Sequence, residues 1–125
     1  MRYNAMRTTR RRRPWQARPR WRVRHGTEIA IGPGKADLLE AIEETGSISA
    51  AARDLEMSYR RAWLLVATMN RCFQEPLVAT SRRRRAGASL TARGKQVIKL
   101  YRAIEACSLR STQALSISLL RMLKP

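Results

Sequence analysis

The sequence predicts a mainly α fold with a small β component: a winged helix-turn-helix with a long C-terminal helix. Three observations carry that prediction. Residues 46–70 read as a short helix, a tight turn and a longer helix, with Ser47 and Ser58 as N-caps and Glu56-Met57-Ser58 as the turn. Beyond Pro76, two short β-prone runs, 77–80 and 89–91, flank a basic, glycine-containing loop as the strands of a wing. From Thr91 onwards, apolar residues recur at three- to four-residue steps.

The N-terminal stretch stands apart from this pattern. Residues 1–20 hold eight arginines, two prolines and no acid, a composition that cannot support a folded core. Residues 1–19 therefore read as a disordered basic arm, suited to tracking phosphates or entering a minor groove. Residues 20–91 make the winged helix-turn-helix domain, and 92–125 a C-terminal helical segment. Strict alternation in Arg20-Trp21-Arg22-Val23-Arg24 places Trp21 and Val23 on one face of a strand. Gly26 interrupts it, Ile29 and Ile31 resume it, and Gly32-Pro33-Gly34 ends it, as one bent strand or a small hairpin.

From 35 to 45, Leu38, Leu39 and Ile42 keep helical spacing with Ala41 beside them, and Asp37, Glu40, Glu43 and Glu44 lie outside. Four of the nine acidic residues thus fall on one helix, which is expected to face away from a polyanion and act as scaffold. In the next helix, to about Leu55, Ala50, Ala51 and Ala52 are small enough for close packing. Met57 is the apolar member of the turn. In the longer helix Ala62, Leu65, Val66 and Met69 share the core face.

What remains at the leading end of that helix is Tyr59, Arg60, Arg61 and Trp63. Two guanidiniums and two aromatics there suit a recognition helix, whose N-terminal residues meet base edges in the major groove. The candidate contact set is Ser47, Ser49, Ser58, Tyr59, Arg60, Arg61 and Trp63, joined by Arg82, Arg83, Arg84 and Arg85 at the wing tip. Ser47 and the start of its helix are placed for a phosphate. Arg60 and Arg61 suit bidentate contacts to guanine or grips on phosphate, and the wing arginines suit backbone or minor groove. An ordinary helical hairpin with a solvated basic face is the plainer reading of the same residues.

In the last segment Val97, Leu100, Ile104, Cys107, Ala114 or Leu115, Leu119 and Met122 form a stripe. Unbroken from 91 to 124, it would run about 50 Å at 1.5 Å per residue, more than a small three-helix core can cover. The excess is expected to meet a second copy of the chain, which makes this a dimerisation helix. Residues 108–112 form helix weakly and are the expected place for a break, from which 114–123 could instead fold back on the core.

Length and charge bound the function. At 125 residues the chain is one domain, and its net charge of +17 and pI near 11.7 direct it to polyanions, nucleic acid or an anionic membrane surface. No apolar run reaches transmembrane length. Arg10 to Arg13 are followed by Pro14-Trp15-Gln16-Ala17-Arg18, not by the apolar segment of an export signal, so a cytoplasmic protein is expected. Cys72, Cys107 and the single His25 suggest neither a disulfide framework nor a metal site, and the cysteines read as small packing residues. No cofactor is expected. No nucleophile–base pair or phosphate-cradling loop accompanies the carboxylates, so no enzyme is expected either.

The order strand, helix, helix-turn-helix, wing and long helix resembles the DNA-binding domain of molybdate-responsive ModE-type regulators, related to that of LysR-type regulators. The resemblance rests on Gly46-Ser-Ile-Ser-Ala-Ala-Ala, Met57-Ser-Tyr-Arg-Arg-Ala-Trp, Met69-Asn70, Glu75-Pro76-Leu77-Val78 and Leu90-Thr91-Ala92-Arg93-Gly94. It covers roughly residues 20–106, and Ser-Tyr-Arg-Arg-Ala-Trp is its most specific run. Two departures stand out: the wing carries four arginines where the family is glycine- and lysine-rich, and the chain ends at Pro125 without the family's molybdate-binding domains. The resemblance therefore implies duplex DNA binding and dimerisation, with no oxyanion sensor and any effector or partner protein unidentified. A sequence-independent architectural or RNA-binding protein is the competing expectation, weakened by the scarcity of aromatic stacking residues.

Overall fold

The structure, a computed structural model, describes residues 16–81 and 87–125. Gly26, at φ +63° in the left-handed region open to glycine, folds β1 (Val23–His25) onto β2 (Glu28–Ile31) as an antiparallel hairpin. Of the two arrangements the alternation allowed, the hairpin is the one found. The strand begins at Val23, later than the alternation suggested, and Trp21 and Val23 stay exposed while Ala30 and Ile31 of β2 enter the core.

Pro33 was expected to help end the strand; it also opens α1 (Pro33–Thr45). At the first helical position proline's missing N–H costs no hydrogen bond, and its fixed φ already suits the helix. Ala36, Leu38, Leu39, Ala41 and Ile42 form the buried face. Gly46 ends the helix at φ +74°, its N–H donating to Ile42 O at 2.8 Å.

The short α2 (Ile48–Asp54) starts at Ser47, whose Oγ accepts the Ala50 N–H at 3.0 Å, and buries Ile48, Ala51 and Ala52. Glu56, at φ +55°, turns the chain. Ser58 then caps α3 (Tyr59–Cys72) by accepting the Arg61 N–H at 3.1 Å. Ala62, Val66 and Met69 are buried on one face of α3, with Leu65 and Met57 partly buried against the same core.

The wing pairs β3 (Val78–Thr80) with β4 (Ala88–Leu90) in the antiparallel register Val78↔Leu90, Ala79↔Ser89, Thr80↔Ala88. The Ser81 N–H donates to Gly87 O at 2.9 Å beyond the last pair, and the Ala88 N–H donates to Gly46 O at 2.8 Å, seating the wing on the end of α1. The tip that carries Arg82 to Arg85 lies outside the described residues, as does most of the basic arm.

Thr91 starts α4 (Ala92–Leu120): its Oγ1 accepts the Gly94 N–H at 3.0 Å and its hydroxyl donates to Pro76 O at 2.6 Å. Residues 20–103 make one compact unit, and 104–125 belong to another. Within the first, the side of α4 that enters the core is Gly94, Ile98 and Tyr101, with Val97 partly buried. The expected stripe through Leu100 and Ile104 is displaced outward: both are exposed. Within the second, α4 passes through 108–112 without the expected break, the hydroxyls of Ser111 and Thr112 bonding back to the Ser108 carbonyl. Cys107, expected to pack, is exposed, and Cys72 is partly buried.

Candidate nucleic-acid interface

Two serine caps fix where the leading turn of α3 points. Because Ser58 Oγ is committed to the Arg61 N–H, the turn is pinned at its first residue, and Tyr59, Arg60, Arg61 and Trp63 are all left exposed on the side away from Ala62, Val66 and Met69. Tyr59 and Trp63, one turn apart, meet edge-to-face with centroids 6.1 Å apart and an interplanar angle of 73°. Arg60 and Arg61 make no ion pair among the described residues. The sequence of α3 contains no carboxylate, so nothing on the helix itself opposes an anion.

Ser47 and Ser58, expected as ligand contacts, are first of all structural: each side-chain oxygen accepts a backbone N–H. Each side chain keeps its hydroxyl proton to donate. Ser49 is exposed at the start of α2, in a groove of about 610 Å³ lined by Ile48, by Tyr59 and Trp63 of α3, and by Thr80 and Ser81 of the wing. Gly87 and Ala88 also line it. The sequence reading missed Thr80, because a small polar residue ending a short strand gives no signal of its own. Only folding brings it into one groove with Trp63.

Asn70 holds the wing to the recognition helix. Its Oδ1 accepts the N–H groups of Leu77 and Val78 at 2.8 and 3.1 Å, and its Nδ2 donates to Val78 O at 3.1 Å. All three bonds reach across from α3 to the start of β3.

Several acids are engaged away from this turn. Asp37 and Glu40 on α1 share Arg102, whose Nη2 reaches them at 2.8 and 2.5 Å. Glu28 pairs with Arg71 at the far end of α3 and accepts from the Cys72 thiol. The Arg71 hydrogen bond, and then that of Cys72, hold the Glu28 carboxyl below the usual carboxylate range. Burial and then Glu28 push the Cys72 thiol up. Burial lowers the Lys35 ammonium, and the nearby charge of Arg61 pushes the same way. Among the described residues no cluster of His, Cys, Asp and Glu gathers as a metal site, and no helix is long and apolar enough to cross a membrane.

The segment that carries the turn-separated helix pair and the wing strands is similar in sequence to known proteins. Residues 35–95 match the bacterial regulatory helix-turn-helix protein family of lysR type. Over 92 residues the chain is 38% identical to the molybdenum transport protein ModE of Azotobacter vinelandii, covering 69% of this chain and 34% of that one. It is 44% identical over 82 residues to the molybdenum-pterin-binding protein MopB of Rhodobacter capsulatus, covering 64% and 30%. The DNA-binding transcriptional dual regulator ModE of Escherichia coli K12 matches at 37% over 76 residues, covering 59% and 29%.

This chain carries a ModE-type helix-turn-helix domain of the lysR family. It spans about a third of the length of those relatives. The lysR-type match begins at Lys35 in α1 and ends at Lys95, four residues into α4. It encloses the capped helix pair, the Asn70 bridge and both wing strands, the parts that place the leading turn of α3 beside the groove.

Proposed function

We propose that this chain is a transcriptional regulator that binds duplex DNA sequence-specifically as a homodimer. The observation that carries the reading is the leading turn of α3: pinned by Ser58, free of carboxylates, and presenting Tyr59, Arg60 and Arg61 to solvent in a ModE-type domain. In this reading Arg60 and Arg61 meet base edges with Ser58, Tyr59 and Trp63 beside them, each good bidentate pair being worth about 1–3 kcal/mol of discrimination. Ser47 and Ser49 take phosphates, and Arg82, Arg83, Arg84 and Arg85 take backbone or minor groove. The Escherichia coli relative's description as a DNA-binding regulator supports the same assignment. The charge of +17 supplies a strong, salt-dependent attraction to duplex.

Dimerisation draws on the end of α4 and the turn that follows it, where Leu115, Leu119 and Met122 are 76%, 63% and 80% exposed at steps of four and three residues. A helix stripe of that kind, left in water, suits a second copy of itself. The protein works in the cytoplasm and catalyses nothing.

Selection of bound duplexes from a random pool tests the reading. Enrichment of an imperfect palindrome is expected, with half-site centres about 34–36 Å apart or a multiple of that. Retention of duplex with no enriched sequence would instead make the chain a sequence-independent architectural protein.

A further inference from the structure

The groove lined by α3 and the wing has a lining chemistry of its own. Its volume of about 610 Å³ is that of roughly twenty waters at about 30 Å³ each, too large for a packing fault. Among the described residues no carboxylate lines it, and its polar side chains are Ser49, Tyr59, Trp63, Thr80 and Ser81, every one able to donate a hydrogen bond, and the indole N–H able only to donate. Beside these donors the lining holds the aromatic rings, Ile48 and the small Ala88, which pairs with Thr80 across the wing. A donor-rich, acid-free rim over apolar walls suits a polymer that alternates anionic phosphate with the carbon skeleton of a sugar.

Geometry selects the same occupant. On a duplex, the major and minor grooves are separated by a single sugar–phosphate strand. With the leading turn of α3 in a major groove and the wing over the adjoining minor groove, that strand has to cross between them. Trp63 of α3 and Thr80 of the wing both line the groove through which it would pass. We infer that this groove seats one sugar–phosphate strand of bound duplex, with Thr80 and Ser49 donating to phosphate and the Trp63 ring packed on deoxyribose. The inference rests on the DNA-binding reading and deepens it: Trp63 becomes a sequence-blind positioning contact, not a base reader, and Thr80 joins the interface.

The test uses the full chain with Trp15→Phe and Trp21→Phe, leaving Trp63 as the sole indole. Duplex binding is followed by anisotropy of a labelled DNA, and Trp63 accessibility by acrylamide quenching. Expected is equal shielding of Trp63 by saturating enriched duplex and saturating random duplex, and none by inorganic phosphate at matched ionic strength. In parallel, Thr80→Phe, at an exposed strand position that tolerates an aromatic, fills the groove. It should weaken binding to both duplexes by at least ~tenfold, the ratio between them unchanged, because backbone contacts carry no sequence information. Thr80→Val, which removes only the hydroxyl, should show a smaller uniform loss. Shielding by the enriched duplex alone, or Thr80→Phe binding as tightly as the parent, would overturn the strand assignment while leaving DNA binding intact. Shielding by phosphate alone would replace it with a simple anion site. No anisotropy change with either duplex would overturn the DNA-binding reading, and the groove assignment with it.

Discussion

Gly94 lies directly against the carbonyl of Leu77: a Cβ placed on the glycine would stand 2.2 Å from that oxygen. The contact is one of three that lock the start of α4 onto the entry to the wing, with the Thr91 N–H donating to Leu77 O at 2.9 Å and the Thr91 hydroxyl donating to Pro76 O. It gives a physical reason for Leu90-Thr91-Ala92-Arg93-Gly94: threonine caps, and glycine permits the approach. Within a helix alanine is ordinarily favoured over glycine by about 1 kcal/mol. Here the sign should reverse. Gly94→Ala is expected to destabilise by about 1–3 kcal/mol, as overpacking does. At roughly 4–8 °C per kcal/mol for a small domain, a thermal melt will resolve it, and a raised melting temperature would refute the close contact.

Asn70 serves the wing's other edge. Asn70→Ala strips the acceptor from two neighbouring backbone N–H groups, Leu77 and Val78, where an unsatisfied group costs about 1–3 kcal/mol. Faster amide hydrogen exchange is expected at Leu77 and Val78 in particular, with the core of α1 little changed. Unaltered protection at those two amides would mean that Asn70 does not hold the wing.

These two contacts mark the limit of what the sequence could reveal. The caps Ser47 and Ser58 were legible because capping is local, decided within three residues of each hydroxyl. The buried trio of α3 was legible because Ala62, Val66 and Met69 leave periodicity a single solution. In α4 there were two solutions: Val97, Leu100 and Ile104 hold helical spacing, and so do Gly94, Ile98 and Tyr101. Packing chose the second, because only a glycine could approach Leu77 and because the Tyr101 hydroxyl donates to Trp21 O at 2.6 Å. That same bond holds the Trp21 backbone. The groove was illegible for a simpler reason. Its walls are about thirty residues apart at Ser49 and Thr80, and nothing in either neighbourhood names the other.

Base reading and backbone binding should separate by mutation. Replacing Arg60 or Arg61 by alanine is expected to relax preference at particular base positions, by about 1–3 kcal/mol where a bidentate pair is removed. Replacing Arg82, Arg83, Arg84 and Arg85 by alanine should weaken binding to every duplex and flatten the log–log salt dependence by about 0.9 for each phosphate no longer neutralised. Titrations at three salt concentrations, on enriched and random duplex, decide it; an unchanged slope in the wing variant would mean that the wing arginines do not neutralise phosphate.

The pair of Glu28 with Arg71 predicts a pH effect of known sign. Glu28 titrates below the usual carboxylate range when folded, so its contribution to stability is present above the unfolded carboxylate pKa of about 4.3 and is lost as pH falls through the folded one. Glu28→Gln should therefore differ from the parent most at neutral pH and converge with it in acid. The difference is expected to be small and to shrink with salt, since both partners are exposed. The same substitution removes the carboxylate that helps hold the Cys72 thiol up, so alkylation of Cys72 near pH 8 should quicken. A rate equal to the parent's would show that desolvation alone controls the thiol.

Dimerisation through α4 has a consequence that distinguishes it from folding. Leu115 and Leu119 lie outside the unit formed by residues 20–103 and are mostly exposed, so Leu115→Glu with Leu119→Glu removes little buried surface from a lone chain. Its melt, taken dilute enough for the parent to be monomeric, should match the parent's. Charge repulsion across a two-fold axis should nonetheless abolish the dimer, because an isologous contact places each new carboxylate near its own copy. Binding to a single half-site should change little, while affinity for the full palindrome falls by about 10²–10⁴, the gain expected from linking two modest contacts. Sedimentation gives the oligomeric state and titration of half and full sites gives the affinity ratio. A variant that stays dimeric, or that loses half-site and full-site binding equally, would place the contact between copies elsewhere on the chain.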